Sequence, residues 1–422
     1  MENVRLSRYT TLFLAAGIWF IGKFVRYAFP PLFETLQGNY EISNALMGTI
    51  YTALLTVYAC LQFPSGMLSD RFGSVRVVVT GAMLAITGSL LIVFDSPLIV
   101  LIVSMMLIGV GTGAHKTVSV QILSKVYPDR TGRVLGIFDT FGSYGGVAAS
   151  ITVTTFLIAP PALKLFVGML PGASWRGVFL LSGISGLVLA TGFAVYVPEQ
   201  LPNDAPAMDD TREGIPVPEF TDYLKQLLKP RFFLFLVIAV LFSFSYNGVI
   251  AFLPLYLSEA GGLNTALANL LYSTLFAVSV VQILTGDISD RVGRLPIIVT
   301  MLGLSGVALV LSVVFIETTV VMLTAFVIIF AVGSHGFRPV RGVYFVELLP
   351  EWIAAGGLGV VRTLLMIAGA AAPPVVGYIA DISNFRAAFA LLALSMLGAM
   401  VLSGGLLLLE MRHPAESTRF SR

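Results

Sequence analysis

The sequence predicts an all-α membrane protein whose twelve transmembrane helices form two pseudo-symmetric six-helix bundles. Asp, Glu, Lys and Arg make up 11% of its 422 residues, against roughly 25% in an ordinary soluble domain. The apolar fraction is 57% and the mean hydropathy is +0.91, so lipid has to be the solvent for most of the surface. A long segment of the first half returns in the second half, which indicates two related bundles.

Apolar runs long enough to cross a hydrocarbon core, which takes about 20 residues for ~30 Å, recur along the chain between charged or turn residues. Uninterrupted runs such as Leu98–Val103 exclude the alternating pattern of β-barrel strands. The predicted helices, in chain order, are residues 11–36, 44–68, 77–94, 97–124, 134–158, 174–197, 231–257, 264–287, 295–315, 319–347, 354–380 and 386–409.

Basic residues between the helices predict the orientation. With the N-terminus in the cytoplasm, 16 Lys and Arg lie on that side, and only Lys164, Arg176 and Arg386 lie outside. Because cytoplasmic loops carry the excess of Lys and Arg, we expect a multi-pass protein of the cytoplasmic membrane with both termini in the cytoplasm. The lipid bilayer is then a partner, and we expect a monomer that binds no nucleic acid.

A change in composition divides the chain. Residues 198–230 lack apolar runs and form a predicted cytoplasmic central loop between an N-terminal bundle, residues 1–197, and a C-terminal bundle, residues 231–422. Apolar residues between Phe220 and Leu228, with Lys225 and Lys229, predict a short amphipathic helix on the membrane surface.

An internal repeat relates the bundles. The sequence Gln-Phe-Pro-Ser-Gly-Met-Leu-Ser-Asp-Arg-Phe-Gly at residues 62–73 returns as Gln-Ile-Leu-Thr-Gly-Asp-Ile-Ser-Asp-Arg-Val-Gly at residues 282–293. Both copies follow the second helix of their bundle. Parallel repeats of this kind imply a site between the halves at the bilayer midplane and transport by rocking of one half against the other.

The pattern Gly-x-x-x-Asp-Arg-x-Gly within both copies resembles the loop signature of the major facilitator superfamily of secondary transporters. Ser74 is a departure, because this family usually has a basic residue there. The resemblance implies that Asp70 is a conformational latch that docks near the eleventh helix. The predicted gating residues of the two loops are Asp70, Arg71, Asp290 and Arg291.

Charges inside the predicted helices are the main functional signal. Each would cost about 2.5–3.5 kcal/mol if it faced lipid, so these side chains need partners or a wet cavity. The six cations are Lys23, Arg26, Lys116, Arg338, Arg341 and Arg362. Three carboxylates are available to them, Asp139 within a helix and Asp287 and Glu347 near helix ends.

An excess of cations favours anions. We therefore expect a small organic anion, held by its carboxylate or phosphate. The candidate substrate-binding residues are Lys23, Arg26, Tyr27, Lys116, Tyr246, Asn247, Arg338 and Arg341. For Lys23 and Arg26 the alternative is structural pairing with backbone or Asp139. For Arg338 and Arg341 the alternative is gating, because Pro339 between them kinks the helix.

Proton coupling and gating have fewer candidates. His115 and His335 titrate near neutral pH when unperturbed, and with Asp139 they are the proton-coupling candidates. A hydrogen-bonded core imidazole is the alternative for each histidine. Asp139 and Arg362 occupy equivalent positions of the repeat, and we expect an ion pair between them at an inner gate, with substrate binding as the alternative.

The predicted function is secondary active transport of a small carboxylate-type anion by alternating access, coupled to a proton. Enzyme motifs are missing from the sequence. A phosphate-binding loop, for example, needs a glycine before its lysine, and the residue before Lys116 is His115. We expect no enzyme activity, no cofactor and no metal. Two alternatives stay open: a neutral-solute or drug carrier whose cations form gate ion pairs, and a non-transporting membrane sensor on the same scaffold.

Overall fold

The computed structural model describes residues 2–169, 174–201, 225–350 and 353–412. Within these ranges twelve helices are long and apolar enough to cross a membrane, which confirms the predicted all-α fold. We call them α1 to α12. Their bounds are Glu2–Ala28, Asn44–Phe72, Ser74–Val93, Leu98–Val126, Thr131–Ile158, Arg176–Tyr196, Pro230–Leu255, Thr265–Val292, Arg294–Val314, Val320–Leu348, Ala354–Ile382 and Phe385–Arg412.

Four short helical elements follow the long helices α1, α5 and α7. After α1 the chain makes a 3-10 turn, Pro30–Leu32, and continues as the helix Phe33–Tyr40. Proline opens this turn because it has no amide hydrogen to donate within a longer helix. A helix at Pro161–Val167 follows α5, and a π-helical turn, Tyr256–Ala260, continues α7.

Helix α8 is interrupted near its middle. Its outer segment, Thr265–Ala277, and its inner segment, Val281–Val292, are joined by the 3-10 turn Val278–Val280. A mid-helix 3-10 stretch often marks a hinge. The sequence predicts one continuous helix here, because the run of apolar residues continues through the turn.

Contacts between residues group the described parts of the chain into two compact units. The first unit comprises the described residues of Met1–Asp209 together with Asn264–Ala277, and the second comprises those of Asp210–Leu263 and Val278–Arg422. The outer segment of α8 therefore groups with α1–α6. Most of the predicted central loop and of its amphipathic helix lies outside the described residues, although residues 225–227 are helical.

The repeat is visible in backbone geometry. Gly73 ends α2 with φ 90° and Gly293 ends α8 with φ 98°, a region that favours glycine because a Cβ is strained there. A Cβ on Gly111 of α4 would collide with the carbonyl oxygen of Gly81, and one on the equivalent Gly333 of α10 would collide with that of Met301. Each unit thus has one tight turn and one backbone-to-backbone helix contact at matching positions.

Two arginines close the ends of matching helices. Arg176 donates from Nη1 to the carbonyl oxygen of Ile92 at 2.9 Å, and its Nη2 lies 2.7 Å from Oδ1 of Asp95. In the second unit, Arg386 donates to the carbonyl oxygens of Val313 and Val314 at 3.0 and 3.1 Å. The last carbonyls of a helix have no partner within it, and these guanidinium groups supply one for α3 and α9.

Candidate functional site

Three predicted cations of the first unit surround one tryptophan. The ring centre of Trp19 lies 5.3 Å from Nζ of Lys23, 5.4 Å from Cζ of Arg26 and 5.3 Å from Nζ of Lys116. Trp19, Lys23 and Arg26 share one face of α1, since residues spaced by three and four lie above one another. Because the face of an indole attracts cations, Trp19 gathers these three charges, and we call the four residues the Trp19 cluster.

Trp19 itself is held by α4 and α5. It is 1% exposed, and its ring stacks at 6.3 Å on His115 and at 5.9 Å on Phe138. A Cβ on Gly142 would collide with the indole, so a glycine is required at this point of α5. The cluster therefore depends on the packing of three helices and not on α1 alone.

Arg26 is a buried cation. The residue is 5% exposed. Its Cζ lies 3.9 Å from the ring centre of Tyr58, and its Nε donates to the carbonyl oxygen of Gly22 at 3.4 Å. Among the described residues, no carboxylate lies within 4.0 Å of its guanidinium. Since a guanidinium has five donors in a fixed fork, this site can still accept a carboxylate.

The two lysines of the cluster contact polar groups of α5. Nζ of Lys116 lies 3.3 Å from Oδ1 of Asp139, and Nζ of Lys23 donates to Oγ of Ser143 at 3.4 Å. Oγ of Ser143 in turn donates to the carbonyl oxygen of Asp139 at 3.0 Å. The first unit thus pairs Asp139 with Lys116, while its predicted pairing with Arg362 stays a prediction.

Tyr27 follows the cluster on α1 and contacts α8. Its ring centre lies 4.6 Å from that of Phe276, in the outer segment that belongs to the first unit. That segment is also bound to α5, because Oγ of Ser150 donates to the carbonyl oxygen of Asn269. Near its start, Thr265 donates to Glu34 at 2.9 Å.

The second unit brings its predicted cations against aromatic rings as well. Cζ of Arg338 lies 5.6 Å from the ring centre of Tyr246, and Cζ of Arg341 lies 5.8 Å from those of Phe242 and Phe337. Phe242 and Tyr246 stack on each other at 5.5 Å. Both arginines lie on one face of α10, since they are three residues apart.

Asn247 and the two histidines have hydrogen-bond partners. The amide of Asn247 donates to the carbonyl oxygen of Ser243 at 2.8 Å. Nε2 of His115 lies 3.0 Å from the carbonyl oxygen of Ala15, and Nδ1 of His335 lies 3.4 Å from Nε2 of Gln282. Both imidazoles are buried, at 2% and 1% exposure. Their proton-coupling role stays a prediction, and among the described residues no group of His, Cys, Asp and Glu is arranged to hold a metal.

The two signature loops differ. In the second unit Arg294 bonds Asp290 through Nη1 and lies 3.0 Å from Oε1 of Glu347 through Nε. In the first unit the matching position is Ser74, which is hydrogen-bonded to Ser69 at 2.8 Å. The four predicted gating residues of these loops, Asp70, Arg71, Asp290 and Arg291, are exposed, and the latch stays a prediction.

Trp19 is the functional candidate that sequence reasoning missed. Aromatic residues in a membrane helix are ordinary packing surface, so composition gives no reason to select one. Two signals were available in the sequence. Trp19 precedes Lys23 and Arg26 by four and seven residues, and Phe242 occupies the equivalent position in the second copy of the repeat. Both residues contact arginine side chains in their own unit.

Comparisons with known proteins agree with this architecture. Residues 12–294 and 262–422 match the family model described as Major Facilitator Superfamily. The hexuronate transporter of Bacillus subtilis (strain 168) is 26% identical over 239 residues, covering 54% of this chain and 51% of that protein. The chain therefore spans about half the length of that relative.

Two further similarities cover most of the chain. The probable galactarate/D-glucarate transporter GudP of Bacillus subtilis (strain 168) is 23% identical over 404 residues, which is 87% of this chain and 85% of that protein. The crystal structure of a bacterial homolog to the human lysosomal transporter Spinster, inward-facing and unoccupied, has a TM-score of 0.73 with 16% identity, and 95% of each chain is covered. That likeness concerns the fold alone.

Proposed function

The chain belongs to the Major Facilitator Superfamily, and from this premise we propose that it is a secondary transporter that moves a small carboxylate-type organic anion by alternating access, together with a proton. Membership of this family also confirms the predicted class of protein, a multi-pass membrane transporter and not an enzyme. The proposal includes residence in the cytoplasmic membrane, cytoplasmic termini and a monomer.

The Trp19 cluster carries the proposal. It places three cations on one indole, and Lys116 forms an ion pair with Asp139. A buried charge without a counter-ion is costly, and in the described part of the chain Arg26 contacts aromatic rings and makes one long backbone hydrogen bond. An anion that accepts from the Arg26 guanidinium supplies the missing partner.

Two further observations support an anionic substrate. The second unit also presents arginines beside aromatic rings, Arg338 and Arg341. The similar proteins are named as transporters of hexuronate and of galactarate/D-glucarate, which are organic acids. Part-exposed Tyr27 and Asn247 are then candidates for contacts with the body of the substrate, as is Tyr246.

The Lys116–Asp139 pair suggests how a proton is coupled. A substrate carboxylate that binds Lys116 competes with Asp139 for the same ammonium. Asp139, at 56% exposure, then loses the cation that stabilises its ionised form and accepts a proton. In this scheme Asp139 carries the coupled proton, while His115 and His335 orient neighbouring groups.

Uptake of labelled organic acids into proteoliposomes, with and without an acidic exterior, tests the proposal. We expect uptake that the pH gradient accelerates. Arg26→Ala should weaken substrate binding about ten- to hundredfold, since a hydrogen bond to a charged group contributes about 1.5–3 kcal/mol. Asp139→Asn should remove the acceleration by the gradient. Absence of anion-dependent uptake in the wild-type protein would reject the proposal.

Matched variants separate these effects from misfolding. Arg76 is an exposed arginine of α3, and Arg76→Ala should bind and transport like the wild-type protein. Arg26→Lys keeps the charge but loses the fork, so it should lie between wild type and Arg26→Ala. Binding without flux would instead favour the sensor alternative, and flux of neutral solutes alone would favour the carrier whose cations are gate pairs.

The gating roles form a separate part of the proposal. Asp70→Asn should abolish transport while the protein still reaches the membrane, because the carboxylate of the latch is lost. Single charge reversals of Asp139 and of Arg362 should each block transport, and the double reversal should restore it if the two residues pair at an inner gate.

A further inference from the structure

The repeat relates an ion pair in the first unit to two like charges in the second. Lys116 and Asp139, which lie 3.3 Å apart, correspond to Arg338 and Arg362. The first pair neutralises itself within its unit. The second pair cannot do so, because a guanidinium stays protonated in proteins.

A third arginine adds to this charge. Arg341 follows Arg338 by three residues on the same face of α10, and Arg362 lies on α11, the next helix of the same unit. Of the described carboxylates, none lies within 4.0 Å of the Arg341 or the Arg362 guanidinium. Charges of one sign at close range destabilise each other in proportion to the inverse of their distance.

Aromatic rings hold two of these arginines but do not neutralise them. Arg338 contacts Tyr246, and Arg341 contacts Phe242 and Phe337. These contacts fix the direction of the guanidinium planes and leave their charge in place. Arg341 is half-buried and Arg362 is exposed, so neither guanidinium group is enclosed by the protein.

We infer that Arg338, Arg341 and Arg362 form an oxyanion subsite of the second unit, and that the transported anion is doubly charged. This inference rests on the proposed function and narrows its substrate class. Three fixed forks match a group with several coplanar or tetrahedral oxygens. A dianion balances more of the charge of the subsite than a monocarboxylate does. In this subsite Arg362 has the alternative role of substrate binding, in place of the gate pair with Asp139.

Matched acids that differ by one negative charge test the inference. We would measure binding to the purified full-length protein in detergent by calorimetry for D-gluconate against D-glucarate, butyrate against succinate, and glycerate against glycerol 3-phosphate. In at least one set we expect the dianion to bind about tenfold more tightly or better, which corresponds to about 1.4 kcal/mol. The third set distinguishes a phosphate from a second carboxylate as the source of the charge.

Variants place the preference in the subsite. Arg341→Gln and Arg362→Gln should each reduce the preference for the dianion to less than threefold and retain binding of the monoanion. Arg362→Lys keeps the charge and should retain a part of the preference. The control is Arg412→Gln, an exposed arginine at the end of α12, which should leave the preference unchanged.

The outcomes separate this inference from the proposed function. Binding and uptake of anions without preference for a dianion in any set would overturn the inference and leave the proposed function standing. A preference that survives in both Arg341→Gln and Arg362→Gln would also overturn it. Rescue of Arg362→Asp transport by Asp139→Arg would return Arg362 to the gate, whereas no rescue supports its place in the subsite. Failure of every anion to bind or to be taken up would reject the proposed function itself.

Discussion

The two units of the molecule share their backbone contacts and differ in their charges. Gly111 lies against the carbonyl of Gly81 in the first unit, and Gly333 lies against that of Met301 at the equivalent place in the second. Such contacts determine how closely two helices approach, and a side chain at either glycine would separate them. Both copies of a duplicated bundle therefore need the same small residue.

Charged positions follow no such constraint. Where the first unit has Lys116 and Asp139 in an ion pair, the second has Arg338 and Arg362. A side chain that faces water or a ligand can change its charge without disturbing a helix contact. The comparison indicates that the repeated glycine contacts hold the fold, and under the proposed function the charges that differ between the units would select the substrate.

The largest expected effect comes from the shared glycine contacts. Gly111→Ala and Gly333→Ala should each destabilise the protein by about 1–3 kcal/mol or more, because overpacking against backbone forces the helices apart. The measurement is the yield of monodisperse protein together with its thermal unfolding in detergent. If the two units are true duplicates in packing, both variants lose stability to a similar extent.

Open glycines provide the controls. A Cβ on Gly136 of α5 or on Gly342 of α10 would meet nothing within 4 Å. Gly136→Ala and Gly342→Ala should therefore leave stability unchanged or raise it by up to about 1 kcal/mol, since alanine favours helix more than glycine does. Equal losses at closed and open glycines would contradict the packing account.

The next largest loss of stability should come from the arginines at the helix ends. Here we expect the loss to differ between the two units. Arg176 is 3% exposed and Arg386 is exposed, although both donate to the last carbonyls of a helix. Arg176→Ala should cost about 2 kcal/mol, because it leaves a buried acceptor, the carbonyl oxygen of Ile92, without a donor. Arg386→Ala should cost about 1 kcal/mol, because water replaces its bonds.

Thermal unfolding of both variants, with Arg76→Ala as an exposed arginine outside any such bond, checks this order. Arg176→Lys is a useful second variant. It keeps the positive charge, but an ammonium group lacks the planar fork with which the guanidinium binds several acceptors at once. We expect it to recover less than half of the loss. A larger loss for Arg386→Ala than for Arg176→Ala would refute the dependence on burial.

Hydropathy and the repeat were sufficient to predict the fold. Twenty apolar residues in lipid form a helix because every backbone group has to be bonded internally, so the spans follow from composition alone. The break in α8 at Val278–Val280 and the association of Thr265–Ala277 with the first unit depend on packing between distant segments. A periodic pattern carries no information about that packing.

For the candidate site, sequence reasoning selected the charged residues but did not select the aromatic residue that they contact. A cation in a membrane helix is conspicuous in the sequence, because a charge that faces lipid has a high free-energy cost. This criterion selected Lys23, Arg26 and Lys116. Trp19 contacts all three cations. Composition gives no reason to select it, because tryptophan is an ordinary residue in a membrane helix. The ion pair of Lys116 and Asp139 was likewise beyond reach, since spacing within a helix does not specify a partner on another.

The smallest expected effect concerns the two signature loops. Arg294 holds Asp290 and Glu347, and each of these solvent-exposed pairs contributes up to about 1 kcal/mol. Arg294→Ser should therefore lower the free energy of unfolding by about 1 kcal/mol, and this loss should shrink at high salt. Thermal unfolding at low and high ionic strength measures both values.

The reciprocal change in the first unit should gain nothing. At the position equivalent to Glu347 the first unit has Lys125, so an arginine introduced by Ser74→Arg would gain Asp70 as a neighbour and face Lys125 as a like charge. Combining Ser74→Arg with Lys125→Glu should restore the pattern of the second unit and add up to about 1 kcal/mol. If Ser74→Arg alone stabilised the protein as much as the double variant, the repeat would not place Lys125 where Glu347 acts, and the difference between the loops would reduce to one residue.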